Sequence, residues 1–391
     1  MDKMDFKRTY LLTIFILMVA AVGFAAGYVV NSAINDSSSD WQILNSAYRI
    51  LRDNGWKDLP TDPALEYGMI RGMVQTYDDP YTIFVEPVQH ELQSDTLAGS
   101  FGGIGVRLGN DSKDRVVLYP IPGGPAENEG VKEGDRLVSV DELVITTETA
   151  IETIQAALRG PVGEWVEIRI IRAHDSTPLQ FRIKRAEIPL PSVTWHIDPD
   201  EPRLGVIEVN VVASSTPDEI VNAVGDLSQR GADVFLLDLR DNYGGLLTAG
   251  IDTARLFLDQ GEIIQQQYRG KDIEVFRVEK PGPLKDIPLT VLVNHNTASA
   301  SEIIAGALQA HQRAQLIGSS TYGKDTIQLI FDLEDGSSLH VTSAKWWIPN
   351  MEPSFGSNGL QPDIVIETDD TDGPDPFIQA ATTLLLSTGT P

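Results

Sequence analysis

Leu204-Gly205-Val206-Ile207-Glu208-Val209-Asn210-Val211, then Thr216-Pro217-Asp218-Glu219, then Val234-Phe235-Leu236-Leu237-Asp238-Leu239: this succession sets the class of the larger part of the chain. The first run reads as a strand. The second is a capping box with proline at the first helical position, opening a helix to about Gln229. The third is a short apolar run of the length of a buried strand. Alternation of this kind predicts an α/β core from residue 188 to 391, with helices covering a largely parallel sheet. Ligand crevices in such sheets open at the carboxyl ends of strands. Two ends stand out: Asp238-Leu239-Arg240-Asp241-Asn242-Tyr243-Gly244-Gly245, and Val291-Leu292-Val293-Asn294 running into Thr297-Ala298-Ser299-Ala300-Ser301-Glu302-Ile303.

Ser299 stands at the start of an apolar helical pattern (Ile303, Ile304, Ala307, Leu308), so its hydroxyl belongs at a helix N-terminus. Ser299-x-x-Glu302 is also a capping box, the commoner role for a serine at that place. Further on, Gly323-Lys324-Asp325-Thr326-Ile327-Gln328 follows a short strand, Ala314 to Ile317, and a glycine turn. If residues 324 to 328 are extended, Lys324, Thr326 and Gln328 share one face and Asp325 points away. That matters because a carboxylate beside the amine would raise its pKa. A lysine base must be neutral near the working pH, so burial has to bring it from about 10.4 toward roughly 7, at about 4 to 5 kcal/mol. With Ser299 as nucleophile and Lys324 as base, acyl transfer also needs preorganised donors for the oxyanion. The backbone N–H of Ala300 is one candidate and that of Gly244 or Gly245 the other.

The rest of the composition offers no stronger chemistry. The 391 residues contain no cysteine and six scattered histidines, which removes thiol catalysis and argues against a bound metal; no cofactor is expected. A net charge of −26 argues against nucleic acid as a partner and for a soluble folded surface, with adaptation to high salt the minority reading. The length implies two or three modules. Residues 1–9 carry Lys3, Lys7 and Arg8 and precede an uncharged, almost wholly apolar run within residues 10–31. A helix of about 20 such residues crosses a bilayer. No good Ala-x-Ala follows it, so an uncleaved anchor is expected, with a cytoplasmic tail and everything beyond the membrane extracytoplasmic.

Residues 32–96 read as a polar linker (Asn35 to Ser39) and a small helical section. One helix opens at a Ser39-x-x-Gln42 capping box and carries Trp41, Leu44, Tyr48 and Leu51. A second runs from Thr61 to the stop at Asp78-Asp79-Pro80. Residues 97–187 form a β-rich block: a glycine-rich stretch from Phe101 to Leu108 that leads into a strand, strands at Val116 to Leu118 and Asp135 to Val140, a helix from about Thr147 to Leu158, and strands Trp165 to Arg172 and Leu179 to Arg185.

That block resembles a PDZ domain of the bacterial protease type. In it the backbone of Gly103, Ile104, Gly105 and Val106 would receive a chain-terminal carboxylate while the peptide adds a strand. Residues 37 to 370 as a whole resemble the C-terminal processing peptidases, or tail-specific proteases. The matching words are Phe101-Gly102-Gly103-Ile104-Gly105-Val106, Leu158-Arg159-Gly160, Leu239 to Gly245, Ser299-Ala300-Ser301-Glu302-Ile303, Gly323-Lys324 with Gln328, and Gly359-Leu360-Gln361-Pro362-Asp363. The resemblance implies a mixed α+β architecture whose α/β protease core is of the ClpP/crotonase-like type. It also implies Ser299 as nucleophile, Lys324 as base, Gln328 as third member, and Ala300 with Gly244-Gly245 as oxyanion donors. Ser301 is the competing serine in the same word. Thr297, His295-Asn296 and Asp325 depart from the family pattern, and Asp325 bears on the lysine's pKa. The partners implied are protein or peptide C-termini and, through the anchor, the membrane; homo-oligomerisation stays open. Two other readings remain: a catalytically silent PDZ tether delivering clients to another protease, and a Ser/His/Asp hydrolase using His295 or His311. Arg159 and the 185–195 connection join the two modules.

Overall fold

The computed structural model describes residues 41–60, 62–173, 177–349, 358–366 and 374–388. The expected anchor, the tail before it and the Asn35 to Ser39 linker lie outside these residues. No helix among the described residues is long and apolar enough to cross a membrane. The chain divides into two units, residues 1–72 and 73–391. In the first, α1 (Gln42–Asn54) follows Trp41 and buries none of its residues. Helix α2 (Asp62–Tyr77) then runs to Asp78, whose positive φ (58°) ends it.

The segment after α2 departs from the expectation of a purely helical section. Residues 83–85 form a strand, β1 (Ile83–Val85), that pairs antiparallel with residues 338–340. Helix α3 (Pro87–Ala98) follows, with proline in its first turn and Gly99 in the left-handed conformation as its stop. The glycine-rich stretch from Phe101 to Leu108, expected to lead into a strand, holds parts of two strands. The first, β2 (Ser100–Gly103), pairs with β9 (Ala186–Pro189), and β3 (Val106–Asn110) joins a different sheet. Gly105, at φ +70°, makes the break, and a Cβ there would sit 3.2 Å from the Pro125 ring. The sheet of the PDZ-like block runs in the order β3, β4 (Val116–Pro120), β5 (Asp135–Val140), β7 (Trp165–Ile171), β8 (Leu179–Lys184), with β6 (Leu143–Val144) on β5. Its core joins Leu118, Leu137 and Ile168 to Ile154 and Leu158 of the helix α5 (Ile151–Leu158). This helix starts later than expected because residues 146–149 form a turn closed by Thr149 Oγ1 accepting the Thr146 N–H at 3.0 Å. A one-turn helix, α4 (Pro125–Asn128), completes the block. Arg159 leaves the block to pair with Asp95 of α3 at 2.6 Å, over the Phe101 ring.

The α/β core follows the expected alternation. Its sheet order is β10 (Val193–Ile197), β11 (Leu204–Val209), β12 (Val234–Asp238), β15 (Leu289–Val293), β16 (Gln315–Gly318), β19 (Ile364–Val365). All neighbours are parallel except β10 with β11. Side chains alternate between its faces. Ile207, Val209, Leu237 and Val291 pack with helices α6 (Thr216–Gln229), α7 (Leu247–Phe257) and α8 (Ala300–Ala310). Val206, Leu236 and Leu292 pack with Ala381 and Leu385 of the C-terminal helix α9 (Pro376–Thr388). Covering both faces is why the strands read as continuous apolar runs. Arg240 ties α9 to the end of β12, pairing with Asp238 at 2.6 Å and Asp375 at 2.9 Å.

Contrary to the expectation of a capping box, Thr216 and Glu219 do not cap α6 reciprocally. Ser215 is the cap residue, and the Glu219 carboxylate accepts the N–H groups of Ser192 (2.8 Å) and Val193 (2.9 Å) at the entry to β10. A second sheet, not anticipated, flanks the core: β1, β18 (Ser338–Trp347), β13 (Glu262–Tyr268) and β14 (Glu274–Arg277), with β17 (Thr326–Asp332) along the free side of β18. Through β17 this sheet delivers Gln328 to the site.

Candidate active site

The chain leaves β15 through a turn that locks the approach to α8. Thr297 Oγ1 donates to the Leu239 carbonyl at 2.8 Å and accepts the Asn294 N–H at 3.0 Å, and Ala298 N–H donates to the Asn242 carbonyl at 3.0 Å. Ser299 follows at φ +56°, ψ −119°, a conformation a non-glycine residue adopts at a cost of order 1–3 kcal/mol. It lines a cavity of about 720 Å³, together with Gly244, Gly245, Ala300, Lys324 and Gln328. Ser301, two residues on, is fully buried and donates to Asn242 Oδ1 at 2.7 Å, so the neighbouring serine is a structural one.

Asn242 also sorts the two glycines. Its Oδ1 accepts the Gly244 N–H at 2.9 Å, and its Nδ2 donates to the Val209 carbonyl at 2.6 Å. The Gly244 N–H is therefore committed, which corrects the expectation that it serves equally as an oxyanion donor. The N–H groups of Gly245 and Ala300 have no acceptor among the described residues. Gly244 has a different part. It lies at φ +100°, and a Cβ on it would come within 2.7 Å of the Ala298 carbonyl oxygen and 2.9 Å of Ser299 Cβ. Only glycine leaves the space beside the serine open.

Lys324 lines the same cavity as Ser299. Its Nζ donates to Gln328 Oε1 at 2.5 Å and lies 4.8 Å from the centre of the Tyr81 ring. Gln328 Nε2 donates in turn to the Tyr81 carbonyl. Burial pushes the Lys324 amine below the ordinary lysine value, while the Asp79 and Glu302 carboxylates pull it back up. Asp325 is held elsewhere, with its carboxylate 3.7 Å from Lys345 Nζ. The alternation argument is not what places it. The strand begins only at Thr326, and its register with β18 shifts between Ile327 and Gln328. A hydrogen bond with Tyr322, together with burial, pushes the Tyr81 phenol up to about 12.

Residues 203–366 match peptidase family S41, and residues 116–172 match a PDZ domain. A carboxyl-terminal-processing protease of Synechocystis sp. is 34% identical over 341 residues, covering 84% of this chain and 79% of that protein. The chain belongs to this peptidase family. The carboxy-terminal processing protease CtpA of Bacillus subtilis is 32% identical, over 93% of this chain and 78% of its own length. Among solved structures, a photosystem II D1 C-terminal processing protease is 31% identical over 81% of this chain and 86% of that one, with a TM-score of 0.45. The protein is accordingly a serine-type peptidase with a PDZ domain.

In the peptidase, Gly103, Ile104, Gly105 and Val106 connect β2 to β3. The Ile104 side chain is buried in the core of the block, and its carbonyl accepts the Ala126 N–H at 2.9 Å. Strand β3 pairs only with β4, so its outer edge is unpaired among the described residues. His295 and His311 do not line the cavity, and His311 Nε2 is bonded to the Glu262 carbonyl at 2.7 Å. His340 does line it, on β18. Sequence reasoning missed Asn242, Asp79 and Tyr81 as site residues. Asn242 stood inside a quoted word, but Asp79 and Tyr81 read only as the end of a helix. The last family word, Gly359-Leu360, is explained by its contacts: Leu360 N–H donates to Thr321 Oγ1 at 2.7 Å, and a Cβ on Gly359 would come within 2.1 Å of the Thr321 carbonyl oxygen.

Proposed function

We propose that the protein is a membrane-anchored endopeptidase that captures protein C-termini with its PDZ domain and cuts the captured chain with a serine/lysine mechanism. The observation that carries this reading is that Ser299, at a strained backbone angle, and a half-buried Lys324 line one cavity. Neutral Lys324 takes the Ser299 hydroxyl proton as Oγ attacks the peptide carbonyl. The tetrahedral oxyanion sits against the N–H groups of Ala300 and Gly245, the former at the positive end of α8. The Lys324 ammonium then gives its proton to the leaving amine, and an ester remains on Ser299. A water molecule deprotonated by the same amine hydrolyses it. Gln328 orients the lysine, fixed by its own bond to the Tyr81 carbonyl. The free edge of β3 suits strand addition by a peptide whose carboxylate reaches the Gly103 to Val106 backbone. The charge pattern around the apolar run at residues 10–31 supports an extracytoplasmic catalytic part.

The full-length chain in detergent is expected to cleave an unstructured polypeptide, and Ser299→Ala or Lys324→Ala to abolish cleavage. Amidating the substrate's C-terminus is expected to raise KM. Unchanged cleavage in both variants overturns the reading, and peptide capture without hydrolysis by the unaltered chain points to a tether instead.

A further inference from the structure

Glu302 has no exposed surface, and its carboxylate accepts four hydrogen bonds. One oxygen, Oε2, accepts the N–H of Ser299 at 2.8 Å and the N–H of Lys324 at 3.0 Å. The other, Oε1, accepts the Thr321 hydroxyl at 2.6 Å and the Gly323 N–H at 2.7 Å. The bond to Ser299 alone would satisfy a capping role. The other three bonds reach residues 321–324, which capping α8 does not require. Thr321 passes the restraint outward, since its Oγ1 also accepts the Leu360 N–H and its own N–H donates to the Leu360 carbonyl at 3.1 Å.

We propose that Glu302 is a positioning residue that clamps the turn bearing Ser299 to the turn bearing Lys324, setting the reach of the base to the nucleophile. The inference rests on the serine/lysine reading above. Ser299 and Lys324 lie 25 positions apart by their numbers and belong to different elements, and a single buried group bonds the backbone of both. A carboxylate offers about four lone-pair sites, all of which are filled here. Glutamine offers one oxygen and one NH₂, and the NH₂ would face a pair of donors whichever way the amide is turned. Glu302→Gln therefore breaks at least one arm of the clamp.

The carboxylate acts on the lysine in a second way. With the Asp79 carboxylate, its charge favours the ammonium form of Lys324, against burial, which favours the neutral amine; Tyr81 and His340 are the other titratable groups set against this lysine. Removing that charge lowers the lysine pKa, so the limb on which activity rises with pH moves to lower pH. A residue needed only for folding would not move that limb.

The test compares cleavage of a labelled unstructured polypeptide by the full-length chain and its variants across pH, with circular dichroism reporting the fold. Glu302→Gln is expected to lower the plateau kcat about 10²-fold with KM nearly unchanged, as a misplaced reacting group does, and to shift the limb to lower pH. Thr321→Val, which removes one donor and keeps the charge, is expected to lower kcat less and leave the limb in place. Wild-type kcat in folded Glu302→Gln overturns the proposal. So does a loss that only tracks the folded fraction with the limb unmoved. If Glu302→Gln does not fold, Glu302→Asp and Thr321→Val decide, because wild-type kcat in both overturns the clamp. Retained cleavage in Ser299→Ala and Lys324→Ala would instead sink the serine/lysine reading itself. Abolished cleavage in those two with normal Glu302→Gln sinks only the clamp.

Discussion

The two sides of the cavity are built by different means. Ser299 is placed by backbone: a turn locked by Thr297 and Asn242, a positive φ, and the first turn of α8. Lys324 is placed by side chains: the Gln328 amide and the Tyr81 ring, from segments far apart in sequence. A nucleophile needs a fixed direction of attack, which backbone supplies. A base needs a tuned pKa, which depends on what covers its amine, and that is a matter of packing. Substitutions on the serine side should therefore change rate at every pH, whereas those around the lysine should also change the pH at which the rate appears.

The largest test of that contrast removes one member from each side. Ser299→Ala and Lys324→Met should each reduce kcat by about 10⁴-fold or more, measured on an unstructured substrate. Only Lys324→Met should raise thermal stability, because the buried amine costs desolvation. Its pKa is depressed in the folded state, so that cost is full below the folded value and vanishes above the ordinary lysine value. The stability gain should accordingly shrink as pH rises through that window. Equal or lower stability at neutral pH would show that the amine is better solvated than its burial implies.

Next in size is Gly244→Ala, on the serine side. The new methyl meets the Ala298 carbonyl and Ser299 Cβ at a positive φ, so kcat should fall about 10²-fold, as it does when a reacting group is misplaced, with an unshifted pH profile. Tyr81→Ala, on the lysine side, should cost about tenfold at neutral pH by admitting water to the amine, with the limb moved toward the ordinary lysine value. Tyr81→Phe keeps the ring and should leave the limb in place. A shifted limb in Gly244→Ala, or an unshifted one in Tyr81→Ala, would break the comparison. The smallest effect belongs to Ser301→Ala, which removes one hydrogen bond to Asn242 and should cost about 1 kcal/mol of stability while cleavage persists. Loss of cleavage there would reopen which serine attacks.

Much of this was legible before any coordinates. The runs Leu204 to Val211 and Val234 to Leu239 became the expected parallel neighbours, because strands covered on both faces are apolar throughout. The words holding Ser299, Lys324 and Gln328 stood out in the sequence, and the structure brings these three residues to one cavity. The loop at residues 103–106 was legible from its glycines, but not that the strands on its two sides join different sheets, since a glycine beside a strand fits a bulge as well as a change of sheet. The second sheet was not legible, because it joins two hairpins and the strand β1 from three stretches far apart in sequence.

By itself, the sequence determined the order of modules, the α/β alternation and the chemistry available at Ser299 and Lys324, since periodicity and residue type are local properties. Only the tertiary structure decided which groups remain free to act. That the Gly244 N–H is committed while those of Gly245 and Ala300 are not follows from how the turn at Asn242 folds back on itself; that Ser301 is buried against Asn242, that Tyr81 covers the amine, and that Glu302 bonds the turn of Lys324 as well as that of Ser299 follow from contacts across tens to hundreds of residues. Hydrogen bonds saturate, and which donor meets which acceptor is set by where the folded chain brings them together.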